Sequence, residues 1–261
     1  MPVKLLFIGD IIGSPGRQAV GRELHRLVDR YQLDLVIANG ENSAGGFGVT
    51  EETAKELFGL GVNVLTSGNH IWDKKESVPY IRREERLIRP ANYPPETAGR
   101  GSVVVRTAGG VKVGVLNLEG RVFMNNLDCP FRCADYEVDR LRQETNIILV
   151  DFHAEATSEK IALGWYLDGK VSAVIGTHTH VQTADERIFP GGTAYLTDAG
   201  MTGSFDSVIG IKKELAMEKF LTQIPVRFEV AKKDVRLNGV VVEVDETTGK
   251  ALAIERVSIS C

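Results

Sequence analysis

Cysteine is scarce. Cys129, Cys133 and Cys261 are the only three in 261 residues, an odd count that suits reduced thiols better than a disulfide framework. A metal site built on Cys129 and Cys133 would need two further ligands nearby, and none is evident. Long apolar runs are absent as well: no segment approaches the roughly 20 residues that a membrane-spanning helix requires. The start, Met1-Pro2-Val3-Lys4, passes into an apolar run at residues 5–8 and then meets Asp10, too short a stretch for a signal peptide. A cytoplasmic protein is therefore expected. Nor is there an excess of positive charge. With 31 basic against 35 acidic side chains and a net charge of -4, the chain has no field that would draw a long polyanion. That argues against polymeric nucleic acid as the main partner and leaves a small nucleotide open. No linker, internal repeat or heptad stands out, so one domain over residues 1–261 is expected, and a homo-oligomer is left open.

What is present is a hydrophobic content of 43%, enough for a large α/β core. Short apolar runs at residues 5–8, 35–38, 62–65, 113–118, 147–150 and 171–175 read as buried parallel strands. Between them Val20, Leu24, Leu27 and Val28 share one face of a helix over residues 18–31. Thr50 is placed to cap the next helix, with Glu51 and Glu52 in its first turn. Past about residue 190 the texture changes. Residues 194–196, 226–230, 235–244 and 254–259 read as strands with polar alternation, and Asp245-Glu246-Thr247-Thr248-Gly249 as a turn between the last two. An antiparallel portion completing a second sheet is expected, in an α/β sandwich of two mixed sheets with helices on both outer faces.

Ligands of α/β proteins gather beyond the carboxyl ends of parallel strands, and the residues there form a series. The first strand ends in Gly9-Asp10, the second in Asn39-Gly40-Glu41-Asn42, the third in Ser67-Gly68-Asn69-His70. Two later strands end in Asp151-Phe152-His153 and Gly176-Thr177-His178-Thr179-His180. Four of the five histidines thus sit at strand ends. Each has an ordinary explanation on its own: a helix cap, a turn, a hydrogen-bonded core imidazole. Gathered on one edge of one sheet, as this reading expects, they would leave competing polar groups unsatisfied, which a pair of divalent ions would satisfy together. Side chains two apart on an extended segment, as in His178 and His180, point to one side and suit neighbouring ions.

With these blocks in order through about residue 180, the chain resembles the calcineurin-like metallophosphoesterase superfamily, with three blocks altered. Ile12 stands where a histidine is usual, Glu41 where the bridging residue is usually Asp, and Thr177 separates Gly176 from His178. Those departures resemble the YmdB-like branch of bacterial phosphodiesterases: Gly9-Asp10-Ile11-Ile12-Gly13-Ser14-Pro15-Gly16-Arg17, Asn39-Gly40-Glu41-Asn42, Gly68-Asn69-His70, Gly176-Thr177-His178-Thr179-His180 and, further on, Thr197-Asp198-Ala199-Gly200-Met201-Thr202-Gly203. The resemblance implies the αββα sandwich of the metallophosphoesterases and hydrolysis of phosphodiesters, with 2',3'-cyclic nucleotides as substrate class. It also implies one metal at Asp10, Glu41, Asn42 and His180 and a second at Glu41, Asn69, His153 and His178. Asn42 would replace the missing histidine through its amide oxygen. Iron or manganese suits this ligand set, and zinc is compatible with it. Such a pair would hold a hydroxide between its members as nucleophile, with His70 protonating the departing ribose oxygen. In the alternative, His70 only orients the water or a neighbouring carboxylate.

A broader phosphomonoesterase or phosphoprotein phosphatase, and a regulatory binding module with little turnover, are the competing functions. Arg17 and Arg121 are candidates for substrate phosphate. The stretch Gly45-Gly46-Phe47-Gly48 is either shaped for close approach near the metals or a flexible connection, and the glycines at 200 and 203 carry the same ambiguity. His25 is expected at the surface with no role.

Overall fold

The structure, a computed structural model, describes residues 2–261. The opening apolar run forms β1 (Pro2–Ile8), followed past Gly9 by the short β2 (Asp10–Ile11). Helix α1 (Gly13–Tyr31) starts at Gly13 rather than at residue 18, since Pro15 fits a first turn whose N–H groups have no intrahelical acceptor. After β3 (Leu35–Asn39), Thr50 caps α2 (Glu51–Gly59) as expected. Its hydroxyl accepts the Thr53 N–H at 3.2 Å while the Thr53 hydroxyl accepts the Thr50 N–H at 3.0 Å, a reciprocal cap. Then come β4 (Val64–Thr66), α3 (Val78–Arg83), β5 (Ser102–Arg106), β6 (Lys112–Glu119), α4 (Pro130–Arg142), β7 (Ile148–His153), α5 (Thr157–Tyr166) and β8 (Ala173–Thr177). The chain closes with β9 (Arg187–Ile188), β10 (Ala194–Leu196), β11 (Met201–Ser204), α6 (Lys213–Thr222), β12 (Val235–Asp245) and β13 (Ala251–Ser260).

These strands make two mixed sheets, one in the order β2-β11-β12-β1-β3-β4 with β13 paired to β12, the other β5-β6-β7-β8-β10-β9. Of the C-terminal strands, β10 joins the second sheet, with β9 antiparallel to it at the edge, whereas the antiparallel pair β12 and β13 completes the first. One flank of β1 pairs in parallel with β3, and its other flank needs a partner for its backbone groups. The long β12 supplies it, setting Leu6 opposite Val241. Residues 226–230 do not form a strand: Val230 makes a single bridge to Ile211.

Apolar side chains fall into three layers. Leu6, Ile8, Val36 and Ala38 of the first sheet pack on Val20, Leu24 and Leu57 of α1 and α2. The alternate residues Leu5, Phe7, Leu35 and Ile37 face Val113, Val115, Leu149 and Ile175 across the inter-sheet core. The outer side of the second sheet, with Leu116, Val150 and Phe152, packs on Ala134, Val138 and Leu141 of α4 and Leu163 of α5. A period of two along each strand thus produces the expected sandwich of two sheets between helices. No helix among the described residues is long and apolar enough to cross a membrane.

Candidate metal centre

The candidate residues meet where two sheets converge, not on one edge of one sheet. Asp10, Glu41 and Asn69 come from the carboxyl ends of the first sheet, and His153 and His178 from those of the second, where Glu119, His153 and Thr177 stand in register. Asp10, Glu41, Asn42 and His153 are almost wholly buried. Glu41, His153 and His178 offer ligand atoms all within 4.8 Å of one another.

His153 is the hub. Its Nε2 lies 3.1 Å from Glu41 Oε1, 2.9 Å from Asn69 Oδ1 and 3.0 Å from His178 Nδ1. Its Nδ1 sits 3.0 Å from the Thr177 hydroxyl, which donates to Asp151 Oδ1 at 2.7 Å. Thr177 therefore accepts the Nδ1 proton, and Nε2 presents its lone pair to the cluster. Gly68 makes this approach possible, because a Cβ there would stand 2.1 Å from His153 Cδ2. Asp151, the third strand-end carboxylate, faces away from the cluster. It accepts from Thr66, Thr177 and Asn39, and burial lifts its carboxyl to about 7.

The other two imidazoles are held the same way. His178 Nε2 lies 3.2 Å from Glu155 Oε2, which leaves Nδ1 turned inward. His180 Nδ1 donates to the Ile209 carbonyl at 2.9 Å, which turns Nε2 toward Asp10 Oδ1, 3.7 Å away. Both residues have positive φ, 97° and 66°, unusual for non-glycine residues. The segment between them is held by Asp198, whose Oδ2 accepts the Thr179 N–H at 3.1 Å and the Thr179 hydroxyl at 2.7 Å. Lys160 Nζ pairs with the same oxygen at 2.6 Å, both side chains being buried. Lys160→Met, which takes the cationic partner from the buried Asp198, is expected to cost about 3–5 kcal/mol in urea unfolding. A loss below about 1 kcal/mol, the range of exposed ion pairs, would show that the pair does not brace the loop.

Asn42 differs in one respect from the expectation. Its amide nitrogen, not its oxygen, faces Glu41 Oε1 at 3.2 Å and His180 Nε2 at 3.4 Å, while Oδ1 is buried without a partner. With only acceptors in front of it the amide must donate, whereas a cation in that place calls for the oxygen. Asp10 Oδ1 is likewise buried without a hydrogen-bond partner. These two orphan oxygens and the converging lone pairs fit bound cations. The electrostatics agree. Burial raises the Asp10 carboxyl. Burial acts the same way on Glu41, but the adjoining His153 and His70, whose backbone N–H it accepts, together outweigh it and hold that carboxyl at about 2. His153, which burial alone would depress, is lifted to about 9 by Glu41, Asp10 and Asp151. Burial and the neighbouring His153 push His178 down to about 3. The buried carboxylates thus create a demand for positive charge at the place where the imidazole lone pairs converge.

The centre opens into a cavity of about 460 Å³. His70 lines it, with its backbone N–H donating to Glu41 Oε2 at 3.0 Å and its Nδ1 2.8 Å from Asp73 Oδ2. Phe47 meets the His70 ring edge-on at 5.2 Å, so the glycine-rich loop approaches the centre closely. Gly46 in that loop has φ 97°, and a Cβ on it would come 2.8 Å from Val230 Cγ2. Gly200 leads into β11, which contains Gly203 and pairs Met201 with Asp10. Arg17 is engaged elsewhere, bonding Glu56 at 2.6 Å and the Ser43 carbonyl, and Arg121 is exposed and outside the cavity lining. His25 is at the surface beside Asp29. Asp73, Glu155, Lys160 and the bracing role of Asp198 are absent from the sequence expectations, although Asp73 lies three residues from His70 and Glu155 two from His153.

Residues 6–257 match the family described as YmdB-like protein. The chain is 49% identical over 258 residues to the 2',3'-cyclic-nucleotide 2'-phosphodiesterase of Bacillus subtilis (strain 168), covering 99% of this chain and 97% of that protein. A crystal structure described as a novel phosphatase from Mycoplasma pneumoniae superposes with a TM-score of 0.93 at 37% identity, covering 100% of this chain and 94% of that one. A hypothetical protein from Thermus thermophilus gives a TM-score of 0.90 at 44% identity, with 99% of each chain covered. The altered blocks, the sandwich and these full-length likenesses agree: the chain belongs to the YmdB-like protein family.

Proposed function

We propose that this protein is a metal-dependent phosphodiesterase that hydrolyses small diesters, with 2',3'-cyclic nucleotides as substrate class. The observation that carries the reading is the convergence of two carboxylates, two amides and three imidazoles in one cluster, of which Glu41, Asn42, His178 and His180 line the cavity. The activity of the Bacillus subtilis relative supports it. Asp10, Glu41, Asn42 and His180 would hold one cation and Glu41, Asn69, His153 and His178 the other, iron or manganese on the chemistry of the donors, with zinc compatible. Bound there, such a pair supplies Lewis acidity toward phosphate oxygens and toward a water nucleophile.

The chain's own groups do the rest. Glu155, Ile209 and Thr177 each hold one ring nitrogen of a ligating histidine and fix where its other nitrogen points. Asp73 does the same for His70, which delivers a proton to the leaving ribose oxygen. Free thiols at all three cysteines support a cytoplasmic site of action.

Metal-loaded enzyme should cleave 2',3'-cyclic AMP with kcat/KM at least about tenfold above 3',5'-cyclic AMP and p-nitrophenyl phosphate. Chelation should abolish turnover and manganese restore it. A monoester hydrolysed as fast as the cyclic diester would replace this reading with a phosphatase. Two bound metals without hydrolysis of any ester would replace it with a binding module.

A further inference from the structure

The cavity has two unlike halves. One carries the polar centre, and the other is apolar, built from Phe47, Ile209, Ile211, Ala216, Phe220 and Phe228. The apolar half is not an extension of the core. Helix α6 buries only Ala216, and Phe220 is 71% and Ile209 52% exposed. Phosphate chemistry needs no such surface, and leaving aromatic rings in water beside a charged centre is unfavourable. The segment after α6, which forms no ladder, brings Phe228 to this wall. The wall's one charged side chain, Lys219, lies over the Phe228 ring at 4.9 Å. It carries no Asn, Gln, Asp or Ser side chain to read the edge of a base.

We infer that this wall receives the nucleobase of the substrate, gripping it by stacking and apolar contact without reading its identity. The inference rests on the proposed phosphodiesterase reading and deepens it: a base is required, and purines and pyrimidines serve alike. Aromatic stacking of a base makes a difference of roughly 10- to 100-fold in binding. Since the contact is present equally in ground and transition states, its loss raises KM and leaves kcat in place.

The test compares three substrates: adenosine 2',3'-cyclic phosphate, cytidine 2',3'-cyclic phosphate and the base-free methyl riboside 2',3'-cyclic phosphate. Wild type should favour both nucleotides over the base-free compound by roughly 10- to 100-fold in kcat/KM, with adenine and cytosine within about fivefold of each other. Phe220→Ala, at an exposed position where truncation leaves folding intact, should shrink that preference through KM. Phe228→Leu should do the same, and Phe220→Trp should keep it. Equal rates on nucleotide and base-free substrate by wild type, or an unchanged ratio in Phe220→Ala and Phe228→Leu, overturns the inference alone. Failure of metal-loaded wild type to cleave any of the three overturns the phosphodiesterase reading and the inference with it.

Discussion

His70→Ala is expected to keep its metal and lose its turnover. On a ribose leaving group kcat should fall by roughly 10²- to 10⁴-fold, the usual contribution of a positioned general acid, with metal content per chain unchanged. The separation follows from how the residue is attached. What His70 gives the centre is its backbone N–H, on Glu41 Oε2 at 3.0 Å, and alanine supplies that equally. The ring points elsewhere, lining the cavity with Nδ1 held by Asp73 at 2.8 Å, so that Nε2 is free to give up a proton. A good leaving group needs little protonation. With bis(p-nitrophenyl) phosphate the deficit should therefore shrink to within about tenfold. An equal loss on both substrates would mean that the ring positions groups without donating a proton, and an unchanged rate on both would remove it from the chemistry.

Most of the layering is legible in the sequence because burial on both sides leaves continuous apolar runs. The segment that becomes β7 is one, ending in the His153 that the centre uses. The cap at Thr50 is legible because its partners lie three residues away. Helix α4 is equally readable in principle, with Ala134, Val138 and Leu141 spaced by four and three after Pro130. Sheet membership is not readable this way. Nothing near Val235 says that its strand will lie between β1 and β13, since that pairing is set by whichever flank of β1 is left open. The same holds for the site. Asp10 and His153 each look like a strand-end polar residue, but their meeting depends on two sheets converging. Residues 226–230 alternate as a strand would, yet the alternation serves the cavity wall through Phe228 rather than a ladder. Lys160 reads as an ordinary helix lysine until Asp198 is placed beside it.

His153→Ala is expected to take away the metal itself. Three lone-pair atoms, Glu41 Oε1, Asn69 Oδ1 and His178 Nδ1, lie within 3.1 Å of His153 Nε2, and no single proton on that nitrogen can satisfy them all. Removing the imidazole deletes a donor that Thr177 and Asp151 hold in place. Merely disturbing such supporting partners weakens metal binding about 10- to 100-fold, so loss of the donor should exceed 100-fold. Thermal and urea unfolding report this without any substrate. Manganese at 100 times its wild-type Kd should stabilise the wild type by about 2.7 kcal/mol, because the folded chain binds it and the unfolded chain does not. The same concentration should stabilise His153→Ala by less than about 0.5 kcal/mol, while elemental analysis finds fewer than two metals per chain. The apo variant must still unfold cooperatively, which separates loss of the ligand from loss of the fold. Two tightly held metals and a full manganese shift in the alanine variant would place the cations somewhere other than between the two sheets.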